Sequence, residues 1–340
     1  MRHRYWAVAL FSSAAIGAVW GCETPLEPDY VLDRPRVLAM RNEPVALVPD
    51  GGTVLDALLY LPPGSPAAQY EWSWCARVDN QLECTVTADA LTTALDPDGG
   101  LGLKLDYALG TGAQANFDYP GTAAALETAC RNFRAPTASD AGDDAGDAGD
   151  DAGDAGDAGD AGFTTTFGDG GVALNCSDSA ATFDVLLTAT VGATKLRATR
   201  TITVYFTPPS TTDTNPTVTA ITIDAAAPTV GALGLFATIP PSATDLYAGR
   251  LVTDAGGGPT GDAGIFESLT ASWYVQSGRL ASASTTLAAA EADGSRDLAP
   301  VGTNQWTVTD PGTYSVILVV RDNRGGVGWL TKSVTIGAGQ

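Results

Sequence analysis

The chain has 340 residues, 44% of them hydrophobic, and a formal net charge of −21 from 18 basic against 39 acidic side chains. That length is a prior for about two domains, and so acidic a surface repels polyanions, which excludes direct DNA or RNA binding. The sole histidine is His3, so the chain beyond it has no means to build Ser-His-Asp or Cys-His nucleophilic sites, or histidine-bearing zinc or iron sites.

Met1 to Arg4 is a short basic segment, and Tyr5 to Trp20 is an apolar run with small residues towards its end. Val19-Trp20-Gly21-Cys22 follows, completing a secretory signal pattern. The aliphatic residue three before Cys22 and the small residue just before it resemble the lipobox of bacterial lipoproteins. The resemblance implies that residues 1–21 are a signal peptide, that the Cys22 thiol carries a diacylglyceryl group and that cleavage follows Gly21. Two or more acyl chains hold a protein stably on a bilayer where one does not. The alternatives are soluble secretion after cleavage near Ala15 or Gly17, and an uncleaved anchor, for which the run is short. Glu23 stands where the inner-membrane retention signal has Asp. The expected location is therefore the bacterial outer membrane or cell surface, lipid-anchored, with the periplasmic face as the other option.

Residues 22–35, rich in proline and acid, are expected to be a tether. Four cysteines follow Cys22: Cys75, Cys84, Cys130 and Cys176. An even number in an oxidising compartment suggests two bridges. Of three pairings, Cys75–Cys84 suits a hairpin-like return and Cys130–Cys176 would brace the base of the excursion between them. Free buried thiols are the alternative.

A first domain is expected over residues 36–206. Val37 to Met40 and Thr53 to Tyr60 are strands, the latter with Leu55, Ala57 and Leu59 on one face. Tyr70, Trp72 and Trp74 alternate with Glu71, Ser73 and Cys75, and a Trp-bearing third strand is an immunoglobulin-like cue. From about 88 to 177 the pattern degenerates into an insertion. Thr122 to Phe133 suits about three helical turns, and residues 136–166, built on an Asp-Ala-Gly repeat, cannot bury a core and are expected to be disordered. Strands resume at Phe183 to Val191 and Lys195 to Phe206, the second with Leu196, Ala198, Ile202 and Val204 alternating after a one-residue slip. Residues 207–216 form a proline-rich linker.

A second domain is expected over 217–337. It opens with Val218 to Ile223, carries a strand over Leu269 to Gln276 and ends in a hairpin from Gly312 to Ile336. Asp310-Pro311-Gly312-Thr313-Tyr314 resembles the tyrosine corner of immunoglobulin-like domains, implying that Tyr314 returns its hydroxyl to nearby backbone. The whole final hairpin is similar to that of bacterial Ig-like and PKD-like domains. With the lipobox and the Asp-Ala-Gly tract, the chain resembles surface lipoproteins of Gram-negative bacteria. The expected fold is mainly β: two Ig-like β-sandwiches, the first interrupted by a partly helical and disordered insertion.

No constellation points to catalysis, cofactor or metal. Gly256 to Gly261 matches a dinucleotide-loop spacing, but no helix opens after it. Asp96-Pro97-Asp98-Gly99 begins like a calcium loop, yet Leu101 and Tyr107 occupy positions that need glycine and an acid. Trp72, Trp74, Tyr274, Trp306 and Trp329 are expected in the cores, with a sugar-stacking face as the alternative and Trp306 the best candidate for exposure. The expected function is non-catalytic: Ig-like domains held to the membrane by lipid for adhesion or scaffolding, with an envelope protein or a glycan as partner. The rivals are a polysaccharide-binding module and an accessory or degenerate envelope hydrolase.

Overall fold

The computed structural model describes residues 29–48, 51–76, 108–118, 124, 127, 130, 163–166, 173–176, 179–209, 213–240, 246–248, 264–266, 268–290, 296–298 and 302–339. The described chain is nearly all β. In chain order the first half gives β1 (Arg36–Glu43), β2 (Gly52–Tyr60), β3 (Gln69–Ala76), β4 (Ala108–Gly110), β5 (Gln114–Asp118), β6 (Phe163–Thr166), β7 (Ala173–Cys176), β8 (Ala180–Val191) and β9 (Thr194–Tyr205). The second half gives β10 (Ala220–Ile223), β11 (Gly231–Thr238), β12 (Leu246–Ala248), β13 (Gly264–Phe266), β14 (Leu269–Val275), β15 (Arg279–Leu280), β16 (Ser284–Ala290), β17 (Arg296–Leu298), β18 (Gly302–Val308), β19 (Gly312–Asp322) and β20 (Val327–Ile336).

Period-two alternation builds the first sandwich. In β8, Phe183, Val185, Leu187, Ala189 and Val191 are buried while Asp184, Leu186, Thr188 and Thr190 between them are partly open, which is what a pleat with one buried face requires. Strands β1, β2 and β5 make one sheet; β4, β3, β8 and β9 make the other, with the β7–β6 hairpin continuing beside β8 past the end of β3. Between the sheets lies a core of Leu47, Leu55, Trp72, Phe117, Phe183 and their neighbours. Trp74 meets Phe117 and Phe183 edge to face, with centroids 5.7 and 5.4 Å apart, the geometry that ring quadrupoles favour.

Two sequence expectations change here. Residues 108–118 were assigned to the insertion, yet β4 and β5 are integral sandwich strands and Phe117 is a core residue. The short polar segment Gln114-Ala115-Asn116-Phe117 alternates too briefly to stand out among its Ala- and Gly-rich neighbours. At the end of the expected disordered tract, Phe163–Thr166 is a strand paired with Ala173–Cys176. The rest of that tract lies outside the described residues. Within Thr122–Phe133, Ala124, Glu127 and Cys130 are helical, and Cys130 is buried against the first core.

The second sandwich repeats the plan. Strands β10, β11, β18 and β15 face a sheet ordered β17-β16-β14-β19-β20, and β12 pairs with β13 alongside. Its core holds Trp273, Trp306, Val316, Leu318 and Val320. Trp273 Nε1 donates to Thr285 Oγ1 at 2.8 Å and Trp306 Nε1 to the Ser277 carbonyl at 2.8 Å, so both indoles are buried with their polar atom satisfied.

The sandwiches do not follow one another as beads. Leu38, Ala39, Leu58 and Tyr60 on the outer face of the β1–β2 pair form a third apolar layer with Ile317, Val319, Val327, Tyr274 and Trp329 from the outer face of the second sandwich, and Leu32 joins them. Four sheets are thereby stacked with three apolar layers between them. Strand β19 is buried on both faces: Val316, Leu318 and Val320 point into the second core, Ile317 and Val319 into the seam.

The two segments read as tether and linker close the seam at opposite ends. Val31 bridges Val275 at the end of β14, where Leu32 N donates to Val275 O at 2.8 Å and Val275 N to Tyr30 O at 3.0 Å. Residues 29–35 are thus a strap bound to the second sandwich before the chain enters the first. At the other end Pro216 lies against β20, where a Cβ on Gly328 would collide with the Pro216 carbonyl oxygen.

Candidate functional site

Among the described residues, buried polar groups concentrate at the linker end of the seam, beginning with an arginine on a core face. The β8–β9 register is unbroken from Ala180↔Tyr205 to Val191↔Thr194. The expected slip in β9 is therefore absent: Leu196, Ala198, Arg200, Ile202 and Val204 all share one face, and Arg200 points inward. Its Nε and Nη2 donate to Asn42 Oδ1 at 3.1 and 3.0 Å, and Nη2 also donates to the Gly325 carbonyl in the β19–β20 turn. Burial pushes the Arg200 guanidinium below its ordinary value; Arg321 adds to that, while the carboxylates of Asp322 and Asp213 oppose it.

The partners of Arg200 are themselves fixed. Asn42 Nδ2 donates to Pro44 O and Val45 O, each at 2.9 Å, tying the end of β1 to its following turn. Asp322 Oδ1 accepts from Arg324 N at 2.8 Å and Gly326 N at 2.7 Å, a local pattern that shapes the turn carrying Gly325. Its Oδ2 is buried without a hydrogen bond, and its charge favours the ionised guanidinium of Arg200. From the linker, Asn215 Nδ2 donates to Asn42 O at 2.8 Å and Glu43 Oε2 at 2.5 Å, while its Oδ1 accepts from Val327 N at 2.8 Å. Asp213 is buried beside Arg324, with Oδ2 3.9 Å from Nε.

Further along the seam, Arg321 Nη2 donates to Leu38 O at 3.0 Å, and the Arg41 guanidinium stacks 4.1 Å over the Trp329 ring while pairing with Asp56 at 3.1 Å. At the strap end Gln276 Nε2 donates to Tyr60 Oη at 2.9 Å and its Oε1 accepts from Ser315 N at 2.5 Å. Arg321 and Gln276 donate across the seam and Arg200 to both sides of it, while Arg41 stacks across the seam and pairs within its own sandwich. Chemically the arrangement cements two sheets. A pocket of about 350 Å³ opens beside it, lined by Asn42, Thr199, Thr201, Thr203, Asp213 and Arg324 among others. Among the described residues no three of His, Cys, Asp and Glu come together to hold a metal ion.

The residues singled out by sequence are scattered by comparison. Cys22, Cys84, Asp96–Gly99 and Gly256–Gly261 lie outside the described residues. Cys75 stands on β3 opposite Asp184, Cys130 is buried in the first core, and Cys176 stands on β7 opposite Ala181. Tyr314 donates its hydroxyl to the Asp310 carbonyl at 3.1 Å and sets its ring edge-on to Trp306, centroids 6.1 Å apart; Gly312 lies against that ring. Trp306, the expected candidate for exposure, is fully buried, because alternation in β18 turns Asn304, Trp306 and Val308 inward. Trp72, Trp74 and Trp273 are buried too, and Tyr274 and Trp329 pack into the seam. All five aromatics singled out by sequence are therefore core or seam residues. A groove of about 320 Å³ over β3 is lined by Tyr70, Glu71, Thr188 and Thr190, but Tyr70 packs against the core.

Arg200, Asn42, Asn215 and Asp213 were missed. For Arg200 the signal was present: strict even-numbered parity from Leu196 to Val204 places it inward without any slip. For the seam the signal was the unbroken run Val316-Ile317-Leu318-Val319-Val320, too apolar for a strand with one wet face.

No family model matches this chain, and no curated protein matches it. Solved structures do. The fibronectin(III)-like modules of Clostridium thermocellum CbhA are similar over 88% of this chain and 94% of theirs, at 10% identity and a TM-score of 0.20. Red sea bream transglutaminase is similar over 91% of this chain and 32% of its own, at 8% identity and 0.26. Three N-terminal domains of the bacteriophage RB49 outer capsid protein Hoc are similar over 90% and 71%, at 9% and 0.18. At such scores the fold assignment rests on strand order and register alone. Sheets ordered β1-β2-β5 and β4-β3-β8-β9, and their counterparts β10-β11-β18 and β16-β14-β19-β20, define β-sandwich modules.

Proposed function

We propose that this chain is a non-catalytic, lipid-anchored envelope protein that uses two fused β-sandwiches to present loops for adhesion or scaffolding. One observation carries the reading. The long connections 77–107, 119–179, 239–268 and 291–301 all leave from and return to strand ends at the linker end of the stack. At the strap end the chain turns through short connections such as 192–193, 276–278 and 309–311. A stack with these four long connections at one end, and a seam that holds its two halves in fixed register, is built to display them together.

Anchoring through Cys22 is the reading of the lipobox. In cells fed labelled palmitate, the parent protein is expected to take up label and sediment with membranes; Cys22→Ser is expected to lose both. Equal labelling of the two proteins would reject the anchor. For the display reading, photo-crosslinking residues placed in living cells at exposed Thr207 and Thr217, at the linker end, are expected to give envelope adducts that the same residue at Thr309 does not. Hydrolytic turnover that survives repurification would overturn the non-catalytic reading. We also propose the bridges Cys75–Cys84 and Cys130–Cys176, which mass spectrometry of the unreduced protein resolves peptide by peptide. Burial of Cys130 and the position of Cys176 on β7, beside the same core, support the second.

A further inference from the structure

We propose that the strap fixes how the protein stands on its bilayer: the strap end of both sandwiches faces the lipid, and the linker end points away. The inference deepens the proposed function and rests on attachment through Cys22.

The strap is tied down from its first described residue. Arg36 Nη1 donates to Asp29 O at 2.6 Å, Tyr30 packs against the second core, Val31 bridges Val275, and Leu32 is buried in the seam. Only the chain between Cys22 and Tyr30 remains to reach the lipid. Those seven residues, eight Cα–Cα steps, span at most about 28 Å when fully extended. The twelve-residue strand β8 alone is about 40 Å long. The tether is thus shorter than the sandwich it holds, and it emerges at the seam, not at the far side of the first sandwich. A file arrangement, with the first sandwich next to the lipid and the second beyond it, would need the strap released from β14.

Charge favours the same stance. The connection 119–179, which leaves β5 and returns to β8 at the linker end, carries nine Asp between residues 140 and 162. Anionic headgroups repel that segment, so the end that bears it is driven outward while the tether holds the other end in.

Four exposed threonines report the orientation: Thr194 and Thr309 at the strap end of the first and second sandwich, Thr207 and Thr219 at the linker end. The mature chain is coupled through Cys22, as mapped by mass spectrometry, to a maleimide lipid in vesicles of phosphatidylethanolamine and phosphatidylglycerol. Chemical coupling makes the result independent of whether cells lipidate Cys22, which palmitate labelling tests separately. A fluorophore introduced at one threonine at a time donates energy to a headgroup-bound acceptor. Transfer is expected to be several-fold stronger from both Thr194 and Thr309 than from Thr207 and Thr219. Strong transfer from Thr194 and Thr207 with weak transfer from Thr309 and Thr219, or equal transfer from all four, overturns the proposal. In the Leu32→Asp variant, which unseats the strap, the Thr309 signal is expected to fall relative to Thr194; an unchanged ratio also overturns it.

Discussion

Arg200 shows how one side chain joins two domains. It reaches from β9 of the first sandwich to the Asn42 side chain on β1 and to the Gly325 carbonyl of the second sandwich. Replacing it with methionine keeps much of the packing but strands both acceptors, at a cost of about 1–3 kcal/mol. Urea unfolding of Arg200→Met is expected to show that loss. Arg200→Lys is not expected to recover it, because a single ammonium does not reproduce the fork that contacts Asn42 through two nitrogens. The residue was legible as inward-facing from parity alone. What it bonds to was not, because Asn42 and Gly325 lie far from it in sequence and meet it only once both sandwiches have formed.

Among elements, β19 is the one on which both the second core and the seam depend. Most strands were readable because one wet face imposes alternation, as in β8. Strand β19 lacks that alternation, and its central apolar run marks burial on both faces. Short strands such as β4 and β5 left too few residues to establish a period, so they passed for insertion. Ile317→Asp places a charge in the seam while sparing the second core, since Ile317 points away from it. Small-angle scattering is expected to show a larger radius of gyration for this variant than for the parent, with β-structure retained by circular dichroism. Thr335→Asp, at an exposed position on the neighbouring strand, is expected to leave both unchanged.

For the molecule as a whole, the seam predicts cooperativity. Each fully buried Ile, Val or Leu contributes about 1.5–3 kcal/mol, and a seam of several such residues is large beside a total stability of about 5–15 kcal/mol. Calorimetry of the parent protein is therefore expected to give one transition, where independent sandwiches would give two. Deleting residues 140–162 is expected to leave that transition within a few degrees, since a tract without apolar bulk supports no core. Composition and periodicity were enough to indicate a mainly β chain built from antiparallel sheets. The face-to-face stacking was not legible, because segments such as 29–35 and 213–216 look alike in sequence whether they hang free or are held by hydrogen bonds, as backbone groups hold the first and the Asn215 side chain the second.

The order of synthesis gives the strap a cost. Tyr30 and Leu32 leave the ribosome early, but Val275, which they bind, is made some 240 residues later, and Ile317 and Val319 later still. Until then the first sandwich carries a naked greasy sheet face made by Leu38, Ala39, Leu58 and Tyr60. A nascent chain in that condition is prone to clumping, so export must keep it shielded, or unfolded, until its last strands arrive. A fragment ending at Phe206 is accordingly expected to precipitate or self-associate in size-exclusion chromatography under conditions where the full-length chain runs as a single sharp peak.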